Sequence, residues 1–252
     1  MYGIAVVNRK GGVGKTTTVH SLGHALAAEG RKVLLVDLDP QGNLSRWCDV
    51  PTTSTTLADV AHARASLGET IRTVGEGVSI IPGSDALIEA EARLSGSESI
   101  PQTWLRRHLA TLRRDRFDVV ILDCAPSLGL LTVAGIVASD GVLMPLEAAP
   151  LALEGLVEML GRVDQARELR PELAIVGVVV TRFDQRKRLA RDALEMIEQA
   201  PPLSGVPITT IRHTVRMEEA PGRRKSIFEH APESTASEDY RTLAKEVLSH
   251  VG

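Results

Sequence analysis

Apolar residues along this chain gather in short β-branched runs at 4–7, 33–36, 78–81, 119–122, 142–146, 175–180 and 208–211. The runs are continuous rather than alternating, which suits strands buried on both faces of a parallel sheet. Between some of them the period changes. Val19, Leu22, Leu26 and Ala27 fall at helical spacing over 16–29, and Leu153, Leu156, Val157, Leu160 and Val163 do so over 151–168. Strands alternating with helices predict an α/β fold: a doubly wound, mainly parallel sheet with helices on both faces. Such a sheet binds its ligand at the carboxyl ends of the strands. The stretch 51–98 is rich in Ser, Thr, Gly and Ala and shows no clear pattern. With no repeat and no Pro/Gly-rich linker, a single domain over 1–252 is expected. The first strand begins almost at once, so no N-terminal helix-turn-helix domain is expected.

Chemistry enters after the first apolar run. Asn8-Arg9-Lys10-Gly11-Gly12-Val13-Gly14-Lys15-Thr16-Thr17-Thr18 joins a strand to a helix. The glycines let backbone N–H groups approach a polyphosphate, and the helix start adds a positive dipole end. Lys15 supplies a charge for the β/γ-phosphates and Thr16 a hydroxyl for Mg²⁺. A standard P-loop has glycine where this chain has Arg9, and a second lysine, Lys10, stands just before the glycines. The run at 33–36 leads into Asp37-Leu38-Asp39-Pro40-Gln41-Gly42-Asn43. Residues two apart on a strand share a face, so both carboxylates are expected to converge on one site, where a cation would relieve their repulsion. The run at 119–122 ends in Asp123, a pattern that holds Mg²⁺ when it follows a P-loop.

The string from Lys10 to Thr16 resembles the deviant Walker A motif of the ParA/MinD class of P-loop ATPases, and the string 37–43 resembles the switch region of ParA proteins. Matching strings continue at 128–132, 138–140, 151–156, 219–221 and 240–247, so the resemblance to Soj-like ParA proteins spans nearly the whole chain. One small departure is Ala125, where the family usually has proline. The resemblance implies a P-loop NTPase fold, ATP and Mg²⁺ as cofactors, and hydrolysis to ADP and phosphate. It assigns nucleotide contacts to Lys10, Gly11, Gly12, Val13, Gly14, Lys15, Thr16 and Thr17. Lys10 would act on the ATP of a partner subunit in a sandwich homodimer, as an arginine finger does. Asp39 would position or activate the attacking water, and Thr16, Asp37 and Asp123 would serve the metal. Arg212 and Thr214 stand where family members usually carry the Pro and Asn that frame adenine, and Thr181 is a further candidate for that pocket. The family also implies non-specific double-stranded DNA and a ParB-like centromere-binding protein as partners.

Composition limits these readings. The chain has 252 residues, 43% hydrophobic and 24% charged, enough for a large core. Its net charge of −3 excludes a uniformly basic nucleic-acid binder, so DNA contacts need a local patch. Ten basic against six acidic residues lie within 182–225, Arg186 and Arg188 among them. A second cluster comprises Arg106, Arg107, Arg113, Arg114 and Arg116. Aromatics make up only 3%, which points to phosphate-backbone contacts rather than base stacking. Cys48 and Cys124 are the only cysteines, without CxxC spacing; this argues against a zinc or disulfide framework and suits a reducing cytosol. No apolar run reaches membrane-spanning length, and the last amphipathic stretch, 238–251, is expected to pack in the core rather than on a membrane. A cytoplasmic, nucleoid-associated partition ATPase is the expectation. The alternative is a MinD-like or protein-cargo positioning ATPase that acts on a membrane or another scaffold.

Overall fold

The computed structural model describes residues 1–51, 53–97, 99–112, 116–127, 129–149 and 152–251. The chain opens with β1 (Tyr2–Val6), α1 (Lys15–Ala28), β2 (Val33–Asp37) and α2 (Asn43–Trp47). Next come α3 (Leu57–Ala61), α4 (Leu67–Thr70), β3 (Arg72–Gly75), β4 (Val78–Ile81), α5 (Leu87–Ser97) and α6 (Trp104–Leu109). The middle alternates β5 (Val119–Asp123), α7 (Leu130–Val137), β6 (Gly141–Glu147), α8 (Ala152–Arg167), β7 (Ala174–Phe183), α9 (Arg188–Glu198) and β8 (Ile208–Arg212). It closes with α10 (Val215–Gly222), α11 (Ile227–His230) and α12 (Thr235–Val251).

The strands form one sheet in the order β3-β4-β2-β5-β1-β6-β7-β8. Every pairing is parallel except β3 with β4. Each expected strand is present, and the continuous apolar runs are explained by two cores. Ala5, Leu34, Val36, Val120 and Leu122 face one, and Ile4, Val6, Val33, Leu35, Val119 and Ile121 face the other. Residues from α5, α6, α7 and α8 cover the first face, among them Leu94, Leu105, Leu131 and Leu156. Val19, Leu22 and Leu26 of α1 cover the second, with Tyr240, Leu243 and Val247 of α12. Close approach also demands small residues. A Cβ on Gly135 of α7 would come within 2.7 Å of Leu38 and 3.0 Å of the Cys124 sulfur.

The stretch without pattern holds α3, α4, the hairpin β3–β4 and α5. Capping boxes at Thr56/Asp59 and Ser66/Glu69 start its two short helices, and Gly77, at φ 70°, turns the hairpin. No described helix is long and apolar enough to cross a membrane. The last helix buries Ala236, Tyr240, Leu243, Ala244 and Val247, so its apolar face belongs to the core, as its pattern implied. Truncating Leu243 to alanine should therefore lower stability by about 2–5 kcal/mol, read as a shift of the urea midpoint. An unchanged midpoint would contradict the packing of α12.

Candidate nucleotide site

Parallel strands end in a row, and the carboxyl ends of β1, β2, β5, β7 and β8, with the loops after them, meet at one edge of the sheet. There they surround a cavity of about 1230 Å³. Gly11, Gly12, Gly14, Lys15, Thr16, Thr17 and Asp39 line one side, and Thr181, Arg182, Arg212 and Thr214 line another. Gly12 and Gly14 adopt φ 76° and 86°, a left-handed backbone that suits glycine. A Cβ on Gly11 or Gly12 would meet nothing within 4 Å, so the loop leaves open space above its backbone. No side chain caps α1, and its first turn holds no acidic residue. Those free N–H groups and the helix dipole favour an anion.

Beneath the loop lies the opposite charge. Asp123, at the end of β5, is 1% exposed, and neither carboxylate oxygen has a hydrogen-bond partner. Burial, with the Asp37 carboxylate alongside, pushes its pKa well above the ordinary carboxylate range, while the Thr16 side chain opposes the shift. An unpaired buried carboxylate is costly and here calls for a cation. No described group of three or more His, Cys, Asp or Glu forms a metal cage. One carboxylate with a threonine hydroxyl nevertheless suits Mg²⁺, which keeps several waters and binds substrate phosphates. Lys15 is also buried, and its Nζ donates to the Lys10 carbonyl at 3.1 Å. Burial lowers its pKa, opposed by Asp123 and Asp39.

Asp37 and Asp39 lie close together but are placed differently. Strand β2 ends at Asp37, so the same-face rule does not reach Asp39. Asp37 is fully buried and absent from the cavity wall. Its Oδ1 accepts from the Asp39 N–H at 3.2 Å, and its Oδ2 accepts from the Ser45 N–H at 2.9 Å and hydroxyl at 2.6 Å. These hydrogen bonds fasten β2 to α2. Burial raises its pKa to about 6, with Asp39 adding and the Ser45 hydrogen bonds opposing. Asp39 itself lines the cavity and orders the next turn by accepting from the Gln41 N–H at 2.9 Å.

Other expected residues fall as follows. Val13 is buried, and its carbonyl accepts from the Thr181 hydroxyl at 2.9 Å. Lys10 is outside the cavity wall, 63% exposed, with Nζ 3.4 Å from Glu147. Arg212 reaches the wall, but its guanidinium is bound to Asp239 at 2.6 Å and Glu238 at 2.7 Å. Its charge thus anchors β8 to α12. Thr214 caps α10, its hydroxyl accepting from the Arg216 N–H.

Sequence reading missed Trp47, whose ring stacks on His20 at 4.1 Å while its Nε1 donates to the Lys225 carbonyl. It also missed Met217 and Pro221 in the same wall. Gln41 and Asn43 line the cavity too, and their signal was their place in the string 37–43.

The basic segment is largely paired with its own carboxylates: Arg186 with Asp184, Arg188 with Asp192, Arg216 with Glu219 and Arg224 with Asp49. Among the described residues Lys187, Arg191, Arg223 and Lys225 have no such pair. Arg113 and Arg114 of the second cluster lie outside the described residues, as do Leu128 and Leu151 of the matching strings. Arg116 precedes β5 and so sits at the opposite, amino edge of the sheet.

The raised pKa values of Asp37 and Asp123 have a signed consequence. Both folded carboxyls hold protons more tightly than the unfolded ones. Their stabilisation is therefore complete below pH 4 and is lost as pH rises through about 6 and above. The nucleotide-free protein should melt progressively lower across that window. Asp123→Asn should flatten the slope and raise the melting temperature at neutral pH. An equally steep slope in the variant would contradict the unpaired charge.

Known proteins resemble this chain over nearly its whole length. A family model described as "AAA domain" matches residues 1–175. The sporulation initiation inhibitor protein Soj of Bacillus subtilis is 38% identical over 251 residues, covering 98% of this chain and 98% of that protein. The chromosome-partitioning ATPase Soj of Thermus thermophilus is 38% identical over 252 residues, covering 98% and 96%. A structure titled cobyrinic acid a,c-diamide synthase from Mycobacterium smegmatis, with bound ATP analog and magnesium, superposes with TM-score 0.84. It is 33% identical and covers 99% of this chain and 95% of that one.

Proposed function

The chain belongs to the Soj/ParA family of P-loop ATPases, and on that premise we propose a DNA-partition cycle run by the site just described. It is a partition ATPase with ATP and Mg²⁺ as cofactors. The observation that carries the assignment of the site is the unpartnered Asp123 carboxylate, buried beneath an uncapped, glycine-lined helix start. A polyphosphate fits the N–H groups of 11–17, and Lys15 meets its β/γ oxygens. Thr16 and Asp123 would hold the magnesium, which supplies positive charge against the phosphate oxygens. Asp39 faces the same cavity and positions or activates the water that attacks the γ-phosphorus, releasing ADP and phosphate. Lys10, already outside its own cavity, reaches the nucleotide of a second subunit. Thr181 and the loop after β8 border the adenine.

In this reading two ATP-bound subunits close face to face and bind DNA without reading its sequence; hydrolysis releases it. The exposed Lys187 and Arg191 on and beside α9 support a phosphate-contacting surface, joined by Arg186 and Arg188 when their carboxylate partners yield. A ParB-like protein would stimulate the hydrolysis, and the protein would sit on the nucleoid.

Lys15→Ala should abolish ATP binding, and unchanged affinity in that variant would remove the site assignment. Random-sequence duplex should bind the parent with ATP, not with ADP, and should fade steeply as salt rises. An absence of DNA binding in every nucleotide state, with ATP-induced dimers still forming, would move the function to another scaffold.

A further inference from the structure

Glu147 ends β6, which lies between β1 and β7 in the sheet. Two cations, one beyond the end of β1 and one near the end of β7, share its carboxylate. Lys10, from the loop after β1, places Nζ 3.4 Å from Oε2; Arg182, the next-to-last residue of β7, places Nη1 2.9 Å from Oε1. Arg182 adopts φ 52°, a left-handed backbone that non-glycine residues visit rarely. The register of β7 on β8 shifts between Val180 and Phe183, and the Thr181 hydroxyl is tied to the carbonyls of Val13 and Leu146. Strained residues that persist at a ligand site point to a use for the side chain.

That use is electrostatic. A carboxylate shared by two cations holds each less firmly than it would hold one, because the second cation repels the first. The three side chains are 63%, 55% and 28% exposed, so the pairs are weak and adjustable rather than locked.

We propose that Arg182 is a positioning residue for Lys10: by sharing Glu147 it loosens the hold of that carboxylate on the Lys10 ammonium and so sets how readily Lys10 leaves for a second subunit's ATP. This rests on the reading that Lys10 acts across a dimer. Without Arg182 the undivided charge of Glu147 retains Lys10 in the isolated subunit. Without Glu147, Lys10 is released whatever stands at 182.

The test is a double-mutant cycle on the full chain. It reads the protein concentration for half-maximal dimerisation in a non-hydrolysable ATP analogue by light scattering, with monomer affinity for the nucleotide measured in parallel. Arg182→Asn removes the charge and suits the left-handed backbone. It should raise the dimerisation midpoint roughly two- to five-fold, and Arg182→Lys should restore it. Glu147→Gln should lower the midpoint, and Arg182→Asn added to it should have no further effect. An equal shift in both backgrounds, or a change confined to monomer nucleotide affinity, would show that Arg182 acts on the nucleotide or the fold and would overturn the proposal. Lys10→Ala separates the two claims. If it dimerises like the parent, the cross-dimer role of Lys10 falls and the proposal with it. If it dimerises poorly while Arg182→Asn changes nothing, the proposal alone falls.

Discussion

A carboxylate with no partner, buried at the end of a central strand, is the constraint around which the site is organised. Asp123 pairs in register with Val6 on one side and Asp37 on the other, so the sheet itself fixes its place below the loop after β1. Such a charge weakens the empty protein and rewards the arrival of a cation. Lys15, also buried, supplies part of the compensation from above. The glycine loop and uncapped helix start complete the arrangement by offering an anion site on the other side of the same space. A phosphate chain and its metal ion satisfy both at once, which is why cation and nucleotide are expected to bind together.

Charges near the site divide into committed and available ones. Asp37 is committed to Ser45 and the Asp39 backbone, and Arg212 to Asp239 and Glu238. These interactions hold α2 and α12 against the sheet and keep the cavity walls in place. Asp39, Lys15 and Asp123 are available. Lys10 stands between the two groups, held through an exposed contact with Glu147. The fold thus places Asp123 at a strand end, where packing defines its position, and leaves Lys10 on a loop.

The strands were legible because a parallel sheet covered on both faces demands apolar side chains at every position, and 33–36 and 119–122 meet that demand without exception. Strand β3 was not: its residues are half exposed, with Arg72 and Thr73 in an edge hairpin. Lys15, Thr16 and Asp123 were legible because loop, helix start and strand end are local features. The bonds between Asp37 and Ser45 were not legible, because the same-face rule applies only while the strand continues and β2 ends at Asp37. Glu147 carried no local signal at all. Its partners lie 137 and 35 residues away in the chain, and only the strand order brings them together. The stacking of Trp47 on His20 is equally non-local.

The most direct test of the central claim is the affinity for nucleotide with and without magnesium, measured by calorimetry at pH 7. If Asp123 is the buried carboxylate that the cation satisfies, magnesium should strengthen ATP binding to the parent, and Asp123→Asn should lose most of that gain. Tight, magnesium-dependent binding by the variant, equal to that of the parent, would contradict the account.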